Sequence, residues 1–250
     1  MIRLHALNAS EWTGPSGNNT YLFPGPPAIL VDAGVGHPDH VESIATALAG
    51  AALDTVLITH AHWDHTAGVP ALQARWPDLT VRGGPGTPLE DGEEFPAGPI
   101  RLRAVHTPGH SPDHFCIRDE SSGEIYCGDL ARSGGTIVIP ASKGGSLRAY
   151  LESLRRVRAL EPPRLFPAHG PVIDQPAALI GEYLAHRQQR DAQVRAALAE
   201  GLTSPEAIVS RIYPRLSAGL LEAARESVLA HLQMIREGDT GPDQSVKSTR

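Results

Sequence analysis

Between Leu57 and Val69 the chain reads LITHAHWDHTAGV, which sets His60, His62, Asp64 and His65 in an H-x-H-x-D-H pattern. Imidazoles two positions apart on extended backbone point the same way, so His60 and His62 can converge on one point. Asp64 and His65 turn toward a second point a few ångströms off. Imidazole mixed with carboxylate suits borderline divalent cations, zinc first among them. A lone H-x-H is weak evidence, because an isolated histidine is more often structural or solvated. Three later stretches add to this one. VHTPGHSPDH offers His106, His110 and His114, with a Pro108-Gly109 turn that presents His110. YCGDL ends on Asp129 and its neighbour Leu130, and FPAHGPV places His169 before a glycine. Of the twelve histidines, seven fall between His60 and His169, in or beside these loops, which is more than chance clustering explains.

His60, His62, Asp64, His65, His110, Asp129 and His169 are too many ligands for one tetrahedral ion. The chemistry they suit is that of two cations about 3.5–4 Å apart, which lower the pKa of a shared water and clamp the attacking and leaving oxygens. That points to hydrolysis before redox. The nitrogen-rich set favours zinc, with iron or manganese as the other metals it could take.

The elements around these residues alternate. TYLFPG and AILVDAG read as hairpin strands, LDTVLITH as an apolar strand running into the motif, and LTVRG, IRLRAVHTPGH, HFCIR, IYCGDL and RLFPAHG as further strands. HPDHVESIATALAGA, AGVPALQARWP and SLRAYLESLRRVRALEP have helical periodicity. Interleaved strands and helices imply an α/β or α+β class with both sheet faces covered. Each candidate ligand stands at or just past a strand end. From PAALIGEYLAHRQQRDAQVRAALAEG onward the pattern is helical, with helix starts at Ser204 and Ser217. The expected division is a catalytic domain over 1–173, a helical domain over 174–238 and a flexible polar tail over 239–250.

A net charge of −6 argues against gripping nucleic acid by bulk charge. The N-terminus shows no signal-peptide pattern and no apolar run reaches membrane-spanning length, so the expected location is the cytoplasm. Cys116 and Cys127 flank a hairpin turn and should lie nearly opposite each other, as two small half-buried thiols in a reducing compartment. His186, Arg187 and Arg190 share a helix face that either borders the site or faces solvent.

H-x-H-x-D-H, then T-P-G-H-S, then G-D, then A-H-G, in that order from about Asn18 to Pro171, resemble the metallo-β-lactamase superfamily. The resemblance implies a four-layer αββα sandwich of α+β class with a binuclear site at one sheet edge. By the same resemblance His60, His62 and His110 would hold one metal, and Asp64, His65 and His169 the other. Asp129 would bridge them with a water or hydroxide, and Asp64 would position the attacking water. Asp32 in LVDAG would support ligands from behind, and His114 would stand behind them or beside the substrate. SGNNTYLF, PAHGPVI and LAHRQQRDAQV are similar to the β-lactamase-like protein 2 group, which carries a winged-helix-like C-terminal domain and cleaves single-stranded RNA; related proteins are thioesterases. No apolar strand pair for a wing follows LQMIREGD. The expected activity is dinuclear zinc hydrolysis of a thioester or of single-stranded RNA, without duplex nucleic acid or membrane as partner. The alternatives are a mononuclear iron sulfur-dioxygenase of the same fold and a glyoxalase II-like thioesterase.

Overall fold

The computed structural model of the chain describes residues 1–10, 13–15 and 17–239. Among these the strands form two five-stranded sheets. One runs β1 (Ile2–His5), β2 (Asn19–Phe23), β3 (Ile29–Val31), β4 (Thr55–Leu57), β5 (Thr80–Arg82). The other runs β10 (Leu165–Pro167), β9 (Ile125–Gly128), β8 (Phe115–Asp119), β7 (Ile100–His106), β6 (Glu94–Ala97).

Alternation of side chains along each strand builds the layers. Tyr21, Phe23, Ile29, Val31 and Leu57 face Leu102, Phe115, Ile117, Tyr126 and Phe166 of the other sheet. Their chain neighbours Leu22, Leu30, Val56 and Ile58 point outward onto helices α1 (Pro38–Leu48) and α3 (Val69–Arg75), through Ile44, Leu48 and Leu72. On the far side Cys116, Ile125, Cys127 and Leu165 meet α4 (Leu147–Ala159) and α5 (Pro176–Ala199). The result is an αββα sandwich of four layers, as the resemblance implies.

Parallel pairing places the ligand-bearing loops. β3, β4 and β5 run parallel, as do β9 and β10, and parallel neighbours need crossovers, here α1, α3 and α4. Asp32, His60, Asp129 and His169 therefore all follow C-terminal strand ends. The two sheets meet at that edge, where Asn19 N–H donates to the carbonyl of Ala168 at 2.7 Å and the Tyr21 hydroxyl to that of Pro167 at 2.6 Å.

α5 belongs to two cores. Ile180 and Tyr183 in its first half pack on the sheet, whereas Val194 and Ala197 pack with α6 (Pro205–Ile212) and α7 (Leu221–Asp239). Ser204 caps α6, its hydroxyl accepting from Ala207 N at 3.2 Å, and Ser217 opens the short 3-10 turn before α7. Among the described residues no strand follows β10. Of the expected tail, Asp239 ends α7, and 240–250 lie outside the described residues. No helix among the described residues is long and apolar enough to cross a membrane.

Two strands escape the sequence pattern. β1 is a half-exposed edge strand, and β6 carries Pro96, which an edge strand tolerates because one side of its ladder is free. The cysteines differ from expectation in burial: both are free and fully buried beneath the helical layer rather than half-buried. Burial pushes the Cys116 thiol up to about 12, leaving it protonated and unreactive.

Candidate metal centre

The H-x-H-x-D-H segment leaves β4, stays extended through His62, then winds into a single turn, α2 (Trp63–Thr66). That change of backbone splits the motif, sending His60 and His62 one way and Asp64 and His65 another. His62 Nδ1 lies 2.9 Å from His60 Nε2 and 2.9 Å from His110 Nε2. Asp64 Oδ2 lies 3.6 Å from His65 Nε2 and 3.5 Å from His169 Nε2. Asp129 stands between the two sets. Its Oδ2 is 3.4 Å from His110 Nε2 and 3.9 Å from His60 Nε2, while its Oδ1 is 3.1 Å from His169 Nε2 and 3.8 Å from His65 Nε2. Within each set, His60, His62, His110 and Asp129 or Asp64, His65 and His169, the donor atoms lie within 4.8 Å of one another, close enough to hold an ion.

The donors fit such a group. His65 Nε2 is buried without a hydrogen-bond partner, a costly state that a cation would relieve. Burial, together with neighbouring His65, holds His60 well below the usual imidazole range, so it offers a neutral lone pair. Burial works to raise the Asp129 carboxyl, yet the facing imidazoles of His169, His65 and His110 hold it well below the usual carboxylate range.

Behind the donors, hydrogen bonds fix which nitrogen faces the site. Asp32, buried and at a positive φ of 63°, accepts from Thr59 N at 2.8 Å, and its Oδ2 takes His65 Nδ1 at 2.8 Å. His110 Nδ1 donates to the carbonyl of Val138 at 2.8 Å. His114 is fully buried, contacts the Thr107 hydroxyl through Nδ1 and accepts from Asp129 N at 3.1 Å. It stands behind Asp129 and is not among the residues that line the cavity. Burial, with His110 nearby, lowers it to about 3, consistent with a neutral acceptor. His106, at the end of β7, is outside both sets.

The glycine before Asp129 is a steric requirement. Gly128 has a φ of +47°, and a Cβ there would stand 2.8 Å from His114 Nε2 and 2.9 Å from the Thr59 hydroxyl.

Two contributors carry no motif signal. Asp113 Oδ2 accepts from Ala61 N at 2.9 Å, tethering the backbone between His60 and His62. Asn18 Nδ2 donates to Asp64 Oδ2 at 2.9 Å. Both lie in stretches singled out for other residues, GHSPDH and SGNNTYLF, where an acid after Ser-Pro and a paired asparagine before a strand were the available hints.

In front of the donors opens a cavity of about 560 Å³, walled by Trp63, Ile137, Val138 and Pro140. Glu222 and Glu226 of α7 face it, as do Arg132 and Lys143 from the β9–α4 loop. The C-terminal helix α7 reaches the mouth, but Arg187 and Arg190 do not line it. Arg187 is 3% exposed, donating to the Thr136 hydroxyl and the Ile137 carbonyl, and Arg190 lies over the Tyr213 ring at 4.2 Å. Neither guanidinium lines the cavity: that of Arg187 is buried against its partners, and that of Arg190 stays partly exposed beside Tyr213 and Gln193.

Known proteins resemble this chain in sequence and in shape. Residues 13–83 and 77–169 match the metallo-beta-lactamase superfamily, and 204–238 match the beta-lactamase associated winged helix domain. Lactamase-like protein aptB of Emericella nidulans is 39% identical over 193 residues, 74% of this chain and 61% of the relative. The atrochrysone carboxyl ACP thioesterase nsrC of Aspergillus novofumigatus is 34% identical over 209 residues, 80% of this chain and 63% of the relative. The chain thus spans less than two thirds of the length of these two relatives. A beta-lactamase domain protein from Burkholderia ambifaria superposes with a TM-score of 0.80 at 22% identity, over 95% of this chain and 85% of that one, a likeness of fold. The ordered motifs, the four layers and the matched residues together make the chain a member of the metallo-beta-lactamase superfamily.

Proposed function

We propose that the chain is a dinuclear metal-dependent hydrolase that cleaves thioesters, with zinc as the metal and an acyl group carried on a protein-bound or small-molecule thiol as the substrate. The observation that carries the dinuclear reading is Asp129, whose two oxygens are shared out between the two donor sets. The nitrogen-rich set supports zinc. The thioesterase name of a 34% identical relative supports the thioester. At the mouth, Glu222 and Glu226 offset Arg132 and Lys143, leaving no surplus of positive charge for a polyanion such as single-stranded RNA.

Bound divalent cations would polarise the thioester carbonyl and make water acidic enough to attack near neutral pH. The chain's own residues do the rest. Asp64, its side chain 26% exposed and held by Asn18, takes the proton of the attacking water as general base. Water oxygen bonds to the carbonyl carbon, the C–S bond breaks, and the proton passes to the leaving thiolate, yielding a carboxylic acid and a thiol. Trp63, Ile137 and Val138 supply an apolar wall for the acyl chain.

Elemental analysis and a substrate panel test this. Close to two ions per chain, with hydrolysis of acyl-CoA, acyl-glutathione or carrier-bound acyl thioesters lost on chelation and restored by zinc, is the expected result. One iron per chain with oxygen consumption would establish the sulfur-dioxygenase instead. Single-stranded RNA cleaved faster than every thioester would overturn the substrate class.

A further inference from the structure

The segment between β9 and α4 walls the cavity, and the C-terminal helices hold it at three places. The Tyr183 hydroxyl of α5 donates to the Arg132 carbonyl at 2.8 Å. Arg187, one turn further along α5, donates to the Thr136 hydroxyl at 2.9 Å and to the Ile137 carbonyl. Glu226 of α7 accepts from Ser142 N at 2.9 Å. The next carbonyl after Ile137 is that of Val138, which accepts from His110 Nδ1 at 2.8 Å, and His110 Nε2 lies 2.9 Å from His62 Nδ1.

Arg187 is 3% exposed, with its guanidinium 5.7 Å over the Tyr150 ring. A guanidinium is expensive to take out of water unless its donors are used on specific acceptors. Here Nη2 is used twice, on the two residues that precede the carbonyl orienting His110. We propose that Arg187 is a positioning residue for the metal centre: by fixing the backbone at Ile137 and Val138 it holds the Nδ1 proton of His110 and aims Nε2 at the three-histidine point. α5 is then a working part of the centre, although it contributes no donor to it. The proposal rests on the dinuclear reading above.

The test compares Arg187→Met and Arg187→Lys with the unaltered chain. Chelator competition reads the affinity of each ion in turn, and the visible bands of the cobalt-substituted protein read ligand geometry. His110→Ala, alone and combined with Arg187→Met, marks which ion belongs to the three-histidine point. Arg187→Met should weaken that ion roughly 10–100-fold, the range for lost outer-shell support, and shift its cobalt bands while sparing the other ion. Arg187→Lys, which keeps a cationic nitrogen able to donate to the acceptors that Nη2 now serves, should lose less, and it alone carries the comparison if the methionine variant does not fold. The double variant should lose no more than His110→Ala, because both act through one imidazole. Equal weakening of both ions, no weakening of either, or additive losses would overturn the role of Arg187. An unaltered chain holding fewer than two ions would overturn the dinuclear reading and the proposal with it.

Discussion

The two halves of the centre are built from different materials. Around His60, His62 and His110 three of the donors are imidazoles, placed by the Thr59 hydroxyl 3.1 Å from His60 Nδ1, by Ala61 N on Asp113, and by the Val138 carbonyl on His110. Around Asp64, His65 and His169 a second carboxylate joins the imidazoles, and buried acid and amide side chains support them. Asp32 backs His65, Asn18 holds Asp64, and Asn19 Nδ2 donates to the carbonyls of Pro167 and Gly170 on either side of His169, each at 2.9 Å. The first half draws its outermost support from the C-terminal helices, the second from the N-terminal sheet. On the proposed dinuclear reading, the first half would select its cation by donor softness, whereas the second would add the charges of Asp64 and, behind His65, Asp32. The two should therefore fail separately when their own supports are removed, and together only through Asp129.

Asp129→Asn should have the largest effect. The amide keeps the size of the carboxylate but has one acceptor oxygen where both halves need one, and no charge. Several kcal/mol of transition-state stabilisation rest on a two-cation site, so kcat/KM should fall by about 10³-fold or more, with both ions weakened. Metal analysis alongside kinetics checks this. Loss of a single ion with turnover largely kept would show that the halves do not share Asp129.

This asymmetry also explains what was legible in the sequence. The donors lie within a few residues of one another or at glycine-marked strand ends, so spacing alone exposes His60, His62, Asp64 and His65, and then His110, Asp129 and His169. β2, β3 and β8 showed as short β-rich runs, and α5 as a long helical stretch. Of the supports, Asp32 and His114 were named only through the family resemblance, and Asn18, Asn19 and Asp113 did not show, because each acts across the chain. Asn18 reaches Asp64 over 46 positions, Asp113 reaches Ala61 over 52, and Asn19 reaches Pro167 over 148. Asparagine and aspartate are too common in loops for such pairings to leave a local mark. Arg187 was obscured for another reason. α5 buries one face on the sheet in its first half and another on α6 and α7 in its second, so its periodicity gives no single inward face against which a buried arginine would stand out.

Asp64→Asn sharpens the comparison from the charged side. It keeps the shape and the contact with Asn18 but removes the base and one charge of the second half. Turnover should fall by about 10²–10⁴-fold, the range of general-base contributions, while the three-histidine ion keeps its affinity. Near-normal turnover at full metal content would remove Asp64 from the mechanism.

Asn18→Ala gives the smallest effect and the finest test, because Asn18 touches no candidate ion and acts only on Asp64. Its Nδ2 donates to Asp64 Oδ2 at 2.9 Å and to the Asp64 carbonyl at 3.1 Å, bracing the carboxylate against its own backbone. Asn18 is itself held by a reciprocal pair with Asn8, whose Nδ2 donates to Asn18 Oδ1 at 2.8 Å while Asn18 N donates to Asn8 Oδ1 at 2.8 Å. Such an anchored donor fixes a carboxylate rotamer at little entropic cost. A hydrogen bond to a charged group contributes about 1.5–3 kcal/mol, but the Asp64 side chain is partly exposed and water can replace the lost donor in part. The expected loss is therefore about 10-fold in kcat with KM little changed, and with the three-histidine ion untouched. Combined with Asp64→Asn it should add almost nothing, since the bond then supports a group that no longer acts as base. If kcat holds while KM rises, Asn18 serves the substrate rather than the base, and if the three-histidine ion weakens too, the two halves are not independently supported.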